Sequence, residues 1–566
     1  MSQEQAQRCI ERFTRKKGER ASMNQYWEEI AEVLAPERMG FISSSYGNNK
    51  RSEKIYDTAP LVAKRSLVNS ISSMLRPKSS SGGKWFDIVP QDEELLDDSE
   101  VKGWVDESED RLWRHMYNPK AYFMQATGEV DDDMVTFGTG CMFIGVDPTL
   151  SNLIFKSFHL KSVYLDVDIM NHVTGVFICE YLTPAQAADA FGEQNLGQKT
   201  LEKLRDPGKA GSSEKVEFVW WVAPRTERDT GIKNNLNMPY FSLLVDVESE
   251  HVVEESGFES FPFVIPRWDT RMSTDPWGRG PGSTSLPSVL GLNQMGKTIL
   301  RALHRAVDPP WLLPSDSMVN APQLRPGGVS YYAAKAIRNL GMSKPFQQME
   351  SNANIPWGLN AQETEREAIT NIFFKNVLNL PVAGPQMTAT EVIERRESFI
   401  REVGSQFAAL ESSYTGPMVE RAFNLLFEHG GLGPLEEIPD VLQGQKLMFR
   451  FASPIEKAKR QIEEASISEA MEKIMAIGQI HPGIMNRFNM DEFGKFIAKA
   501  NDFPHDLIRT DNEVAQLEAV QAQQAQVEQQ MQIAERAASM TAMAPPELVA
   551  GAAGEEEGGA PVEAVA

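Results

Sequence analysis

The sequence predicts an α+β fold that is mainly helical, and three observations lead to that prediction. The first half alternates helical apolar spacing with short runs of β-branched and aromatic residues. The second half is dominated by apolar residues at steps of three and four, which is typical of helices. The chain has 566 residues, of which 41% are hydrophobic, so it can bury sizeable cores over roughly four domains' worth of chain.

The first half is expected to contain five helices before a glycine-rich junction. They are expected near residues 4–35, 60–75, 101–116, 121–136 and 184–191. Strands are expected at 85–89 and at CMFIGV, LIFKSF, SVYLDV, GVFICEYL, VEFVWWV, YFSLLVDV and PFVIPRW. The junction WGRGPG, Trp277–Gly282, then allows a sharp backbone entry into the next helix, with Trp277 anchoring the turn in an apolar pocket.

The second half opens with a helix expected over 287–307, because its apolar residues step by three and four until Asp308-Pro309-Pro310 ends it. A second helix is expected from about residue 360 to 374, followed by the loop KNVLNLPVAGPQ. A long helix then starts at Thr388 and is kinked at Gly416-Pro417. Shorter helices are expected over 428–509. Beyond Asp511 a Gln/Ala-rich segment has a weak heptad seam, and the acidic end has a disordered composition.

Composition narrows the class of protein. The net charge of −23 argues against a tight grip on DNA, which needs clustered Lys and Arg, but it is compatible with a protein that lets DNA pass. The three cysteines are far apart and are expected to be reduced and buried. The N-terminus has no secretory signal and no segment is apolar enough to span a bilayer, so a soluble intracellular protein is expected.

The stretch GLNQMGKT, Gly291–Thr298, fits the spacing of a phosphate-binding P-loop. A working P-loop needs a buried strand before its first glycine and a helix that begins only at the lysine. Here two prolines precede the motif and the helical apolar period runs through it. The sequence therefore favours a helix interior at this stretch, with the glycines where another helix packs closely.

The run Asp131-Asp132-Asp133 is an acidic cluster within a predicted helix, and it is a candidate metal site. Three consecutive helical residues point in three directions, so a solvated helix face is expected and a metal site is not. No nucleophile elbow, metal-binding helix motif or catalytic constellation is found. The sequence therefore predicts no enzyme activity, no cofactor and no metal.

Several motifs occur in an order that resembles one family. They are YWEEIAEVLAPER, IYDTAPLVAKRSLVNSISSML, KWFDIVP, TFGTGCMFIG, PFVIPRW, WGRGPG, LNQM, VDPP and MTATEVIERR. Each is modest alone, but their shared order over about residues 10 to 510 resembles the portal proteins, or head-to-tail connectors, of short-tailed, T7-like bacteriophages. The alternatives are a P-loop nucleotide-binding protein and another capsid-vertex or internal head structural protein.

The resemblance implies a ring, usually of twelve subunits, at one vertex of the capsid in the virion, made in the bacterial host cytoplasm before assembly. Double-stranded DNA would enter through its channel during packaging, be retained, and leave at ejection. The implied partners are the terminase large subunit, which supplies the ATPase, tail or adaptor proteins, and major capsid and scaffolding proteins. Membrane insertion is not implied.

The resemblance also divides the chain into the parts of a portal fold, with wing, stem, clip and crown or barrel. The parts are the wing 1–286, first stem helix 287–306, clip 307–356, second stem helix 357–374, tunnel loop 375–387, long channel or wing helix 388–427, crown 428–510, helical tail or barrel 511–544 and disordered C-terminus 545–566. The implied tunnel-loop residues along the DNA channel are Lys375, Asn376, Asn379, Leu380 and Pro381. The implied clip contacts to terminase and tail are Arg325, Tyr331, Lys335 and Arg338, and the implied stem contacts of the ring are Leu292, Met295, Ile299 and Leu303.

Overall fold

The computed structural model divides the chain into two compact units, Met1–Ser466 and Ile467–Ala566. In the first unit it describes residues 2–42, 54–77, 84–92, 95, 98–147, 152–205, 214–228, 234–270, 275–315, 323–333, 347–349, 354–375, 404–434, 438–442 and 447–451. In the second unit it describes residues 467, 471, 474 and 494.

The described helices and strands form the mixed fold that the sequence predicts. The helices are α1 Ser2–Glu19, α2 Ala21–Leu34, α3 Ala59–Leu75, α4 Ser99–Met116, α5 Phe123–Phe137, α6 Pro184–Phe191, α7 Gln198–Arg205, α8 Pro281–Val307, α9 Ile355–Ile372 and α10 Gly416–Glu428. The strands are β1 Phe86–Pro90, β2 Met142–Val146, β3 Leu153–Ser157, β4 Val163–Val167, β5 Val173–Leu182, β6 Val216–Pro224, β7 Tyr240–Asp246, β8 His251–Phe258, β9 Phe263–Val264, β10 Trp311–Ser315, β11 Val329–Ala333, β12 Gln347–Gln348 and β13 Leu447–Phe451.

The largest sheet is five-stranded and antiparallel, in the order β4-β5-β6-β7-β8. Helix α1 covers one of its faces, where Phe13 packs edge-on against Tyr164 with ring centroids 4.9 Å apart. The short helices α6 and α7 cover part of the opposite face around the buried ring of Phe218. Burial of large aromatic side chains on both faces is the main stabilisation of such a sheet.

Helix α5 runs through the main core and packs against α2, α3, α8 and β3. It ends at Gly138, whose φ of 91° lies in the left-handed region that favours glycine. A Cβ on Gly138 would lie 2.3 Å from the carbonyl oxygen of Gly278 in the WGRGPG junction. Trp277 is buried and meets Trp27 edge-on at 4.8 Å. The expected sharp turn anchored by Trp277 is confirmed.

The expected solvated face at Asp131–Asp133 is wrong. Asp131 and Asp133 are 0% and 1% exposed. Each of the three carboxylates instead pairs with a cation: Asp131 with Arg76 at the end of α3, Asp132 with Lys64 in α3, and Asp133 with Arg38 after α2. Burying a carboxylate is costly unless it is paired, and these pairs provide the compensation. Burial nevertheless raises the pKa of Asp133 to about 6.

Helix α8 begins six residues earlier than predicted and contains Pro287. Proline has no N–H, so it leaves the carbonyl of Ser283, four residues back, without its helical partner. The Tyr26 hydroxyl donates to that carbonyl at 3.2 Å. A side chain from α2 therefore replaces the missing backbone bond, and the helix continues through the proline.

The N-terminal helix is divided at Arg20, where a single helix was expected. The Arg20 guanidinium is buried and donates to the carbonyls of Leu160, Lys161 and Val163. Its three carbonyl acceptors fix the end of α1 against the start of β4. Burial lowers the pKa of Arg20 to about 10.

The crown segment, expected to be helical, contains a strand. β13 pairs antiparallel with β1, with Ile88 opposite Phe449. α7 and β8 were also not predicted. The expected kink at Gly416-Pro417 appears as a π-helical turn over Glu411–Thr415. The cysteines Cys9, Cys141 and Cys179 are free and buried, as expected.

Candidate functional site: the helical hairpin and its small sheet

Helices α8 and α9 pack as an antiparallel pair, called the hairpin below. A Cβ on Gly358 would lie 3.2 Å from Ile299, and one on Gly296 would lie 3.4 Å from the side-chain nitrogen of Gln362. Small residues on each helix thus allow a close approach, and Gln362 is buried between them. Because Ile299 lies opposite Gly358 and Gly296 opposite Gln362, the two helices run in opposite directions.

The hairpin is attached to the segment before α3 by hydrogen bonds. The Asn293 side chain accepts from the Tyr56 N–H and donates to the Lys54 carbonyl, each at 2.6 Å. Arg366 of α9 donates two hydrogen bonds to the Asp57 carboxylate, at 3.0 and 2.9 Å. Both bonds end on the same carboxylate oxygen, Oδ2, and hydrogen bonds between charged groups are among the stronger polar contacts. The base of the hairpin is therefore held firmly by the rest of the subunit.

The four residues that were expected to form stem contacts lie in different environments. Leu292 is 0% exposed and belongs to the main core. The expectation that Leu292 contacts a neighbouring subunit is therefore corrected, because its own chain covers it. Met295 and Ile299 are half-buried, and Ile299 packs on α9. Leu303, 38% exposed, is the member of this set that remains accessible.

The stretch Gly291–Thr298 lies wholly inside α8, which starts at Pro281. The Lys297 ammonium lies 5.6 Å from the centre of the Tyr56 ring, and Thr298 donates to the Gln294 carbonyl at 2.9 Å. No phosphate-binding loop exists at this stretch. The expected close packing is found at Gly296, whereas a Cβ on Gly291 would meet open space.

A small sheet, in the order β11-β10-β12, lies at the end of the hairpin where α8 finishes. β10 pairs parallel with β11 and antiparallel with β12. The Trp311 N–H donates to the Gly328 carbonyl at 2.9 Å, and the Met349 N–H to the Pro310 carbonyl at 2.8 Å. The chain leaving α8 and the chain approaching α9 are thus joined in one sheet.

The expected contact residues of the clip and tunnel loop are only partly described. Arg325 is exposed and Tyr331 is half-buried on β11. Lys375 is half-buried, three residues after the end of α9. The remaining expected residues lie outside the described residues: Lys335, Arg338, Asn376, Asn379, Leu380 and Pro381, as does the predicted Gln/Ala-rich tail.

The two helices of the hairpin differ in charge. Over Pro281–Val307, α8 carries Lys297, Arg301 and Arg305 and no carboxylate. Over Ile355–Ile372, α9 carries three glutamates and one arginine. This difference in charge is visible in the sequence, but only the structure shows that most of these charged side chains are exposed.

A cavity of about 370 Å³ lies on the five-stranded sheet. Its lining includes Ile178, Phe218 and Trp220, and its charged residues include Lys156 and Glu180, which form an ion pair at 3.3 Å. The lining has no histidine or cysteine. Within the described part of the chain, no cluster of His, Cys, Asp and Glu could hold a metal ion. Among the described helices, none is long and apolar enough to cross a membrane.

Comparison with known proteins gives consistent matches. The family model described as "Bacteriophage head to tail connecting protein" matches residues 6–508. The portal protein of Salmonella phage epsilon15 is 24% identical over 544 residues, 95% of each chain, and the probable portal protein of Bordetella phage BPP-1 is 26% identical over 540 residues, 94% of each. A chain from the virion of a native gene transfer agent particle matches 74% of this chain and 88% of its own at 9% identity, with a TM-score of 0.33, too low to establish a common fold.

Proposed function

Because the chain belongs to the bacteriophage head-to-tail connecting protein family and functions as a phage portal protein at the capsid vertex, we propose how its parts perform that function. Copies of the chain form a closed ring, of twelve subunits by the family resemblance, around a channel for double-stranded DNA. The hairpin is the stem, and the small sheet belongs to the clip.

The observation that carries this proposal is the exposed apolar surface of the hairpin. Along α8, Leu300, Leu303 and Val307 are exposed, the last to 84%, and on α9 Trp357 is exposed to 72%. Clustered exposed apolar side chains on a rigid element mark an interaction surface. A heterologous ring gives every subunit a neighbour on both sides, so both helices of the hairpin can be covered.

The other parts follow from this assignment. The clip, with Arg325, Tyr331, Lys335 and Arg338, contacts the terminase large subunit during packaging and tail or adaptor proteins afterwards. The wing meets major capsid and scaffolding proteins. The subunit itself has no enzymatic role, since the terminase supplies the ATPase. The proposed segments are kept with one change: residues 447–451 of the crown belong with the wing, because β13 pairs with β1.

The tunnel loop 375–387 is proposed to converge on the channel axis and to retain packaged DNA. Its side chains are mainly neutral, with Lys375 as its one charge, so each copy offers one screened phosphate contact. Deleting Leu378–Val382 should leave rings intact while packaged DNA leaks. Rings that retain DNA at wild-type levels, or a subunit that no longer folds, would contradict the role as a gate.

Ring formation itself is tested with Leu303→Asp. An aspartate at this exposed position leaves the subunit core untouched but would bury an unpaired charge at a subunit contact. We expect end-on rings with a central hole for the wild type in electron micrographs, and dispersed subunits for the variant. Leu236→Asp, at a position 53% exposed in a turn before β7, is the matched control and should form normal rings. A wild type that stays monomeric at every concentration refutes the proposed ring.

A further inference from the structure

We propose that neighbouring subunits pair their stems by charge, with the basic stripe of one α8 lying against the acidic stripe of the next subunit's α9. The basic stripe is Lys297, Arg301 and Arg305, and the acidic stripe is Glu363 and Glu367. The proposal rests on the ring proposed above and assigns its stem contact to these side chains. The occupant of each stripe is thus a second copy of this chain.

Both stripes have the spacing that puts side chains on one face of a helix. Residues four apart are neighbours on the helix surface, about 6 Å apart along the axis. The basic residues occur at every fourth position from 297 to 305, and the acidic ones are four apart. On α8 the basic stripe lies opposite the face of Gly296 and Ile299, which approaches Gln362 and Gly358 of α9. It is therefore directed away from the subunit's own second helix.

Lys297 is half-buried and lies 5.6 Å from the centre of the Tyr56 ring of its own chain, whereas the other residues of the two stripes are largely unused within one subunit. Arg301, Arg305 and Glu367 are exposed, and none of them has an ion-pair partner among the residues that the structure describes. Glu363 accepts one hydrogen bond from Arg366 at 3.0 Å and is itself exposed. The two helices therefore present opposite charges to solvent at the same spacing, and a second copy supplies the missing partners.

One register satisfies the pairs together. In a cyclic ring all hairpins point the same way, so α8 of one subunit meets α9 of the next antiparallel. Placing Arg301 opposite Glu363 then also places Lys297 opposite Glu367, since the two helices step by four residues in opposite directions. Within a subunit, Ile299 lies opposite Gly358. Along α8, the α9 of the neighbouring subunit is therefore displaced from the subunit's own α9 by seven residues, or about 10 Å.

This displacement has a geometric meaning. Upright hairpins around a ring axis meet level with one another, whereas hairpins inclined to the axis meet with an offset along their length. The pairing therefore requires inclined stems. It also accounts for apolar residues beside the stripes. Leu359 continues the acidic stripe and falls opposite Arg305, and Leu300, three residues after Lys297, borders the basic stripe. A packed helix covers such leucines, whereas DNA phosphates would not.

The test uses Arg301→Glu and Glu363→Arg. Each variant alone should raise the subunit concentration at half-assembly at least tenfold, measured by native mass spectrometry at moderate salt. An equimolar mixture of the two should recover assembly to within about threefold of wild type, because an alternating ring restores an opposite pair at every contact. Tenfold corresponds to about 1.4 kcal/mol. Arg114→Glu, at a side chain 74% exposed on α4, is the matched control and should assemble normally.

Each alternative outcome overturns the pairing. Normal assembly of both single variants would show that these charges do not contribute to the contact between subunits. Normal rings of Arg301→Glu that fail to retain DNA would show that the basic stripe faces the channel. Rescue in the doubly substituted chain but not in the mixture would place the pair within one subunit. If circular dichroism shows a misfolded variant, Arg301→Gln and Glu363→Gln replace it, and wild-type assembly by both then refutes the pairing. Wild-type subunits that never form rings would instead refute the proposed function.

Discussion

Replacing Asp131 with asparagine should be severely destabilising, although it changes neither size nor shape. The Asp131 and Arg76 side chains are both fully buried and form an ion pair. Among the described residues, Nε and Nη1 of Arg76 have no hydrogen-bond acceptor. The carboxylate therefore supplies most of the compensation for the buried guanidinium, which also makes a long bond to Ser72 and lies near the Tyr414 ring, 5.3 Å away.

The expected cost follows from the asymmetry between breaking and replacing a buried pair. Removing one partner of such a pair costs about 3–5 kcal/mol, a large share of the stability of a domain. Replacing both Asp131 and Arg76 with leucine should cost less than the asparagine substitution alone, because no unpaired charge remains buried. Asp110→Asn, on an exposed face of α4, is the control and should stay within about 1 kcal/mol of wild type.

Urea unfolding followed by tryptophan fluorescence, on unassembled subunits at neutral pH, measures these differences. A loss below about 1 kcal/mol for Asp131→Asn would refute the reasoning, because the guanidinium would then have found another partner. If the double leucine variant loses more unfolding free energy than the asparagine variant, the expected order of the two costs is wrong. That result would show that the pair contributes net stability beyond compensating its own burial.

Three further predictions concern other parts of the subunit. Burial raises the pKa of Glu109 to about 7, so the stability that its protonated form contributes at acid pH is lost as pH rises from about 4.5 to 7. Glu109→Gln removes this titration and should therefore reduce the fall in unfolding free energy between pH 5 and 8 by about 2 kcal/mol. An unchanged fall would contradict this. Gly138→Ala should cost at least about 2 kcal/mol of unfolding free energy, because of strain at positive φ and overlap with the Gly278 carbonyl. The control Gly128→Ala, in the same helix, has open space around the new methyl group and should be neutral or stabilising. Equal effects of the two substitutions in urea unfolding would disprove the close contact. Titration of labelled ATP with Mg²⁺ should show no binding, and micromolar binding that disappears in Lys297→Ala would overturn the helical interpretation of Gly291–Thr298.

The sequence predicted the elements whose signals are local. Apolar period, caps and breakers located most of the helices in the first half, and the glycines of the WGRGPG junction indicated its turn. What could not be predicted depends on partners far along the chain. Pro287 stays inside α8 because Tyr26, some 260 residues earlier, bonds the Ser283 carbonyl. Asp131 and Asp133 are buried and Asp132 is half-buried, because cations at positions 76, 38 and 64 reach these carboxylates.

The candidate site shows a different limit. The period of Leu292, Met295, Ile299 and Leu303 predicted an apolar face on the helix that the structure shows as α8. It could not show whether that face is covered by the same chain or by a second copy, because both give the same pattern in one sequence. In the structure the subunit's own core buries Leu292 and α9 meets Ile299. The surface of α8 that its own chain leaves exposed therefore includes Arg301 and Arg305 beside Leu300 and Val307.

The pairing of β1 with β13 has a consequence for how the subunit is made. Some 360 residues separate the two strands, so an emerging chain exposes the edge of β1 long before its partner exists. At about 5–20 residues per second, the ribosome needs roughly 20–70 s to synthesise the interval. An unpaired strand edge is a template for association with other chains. During this time a polysome would hold many nascent chains with open strand edges side by side, so the yield of native protein should depend on translation speed and chaperone capacity.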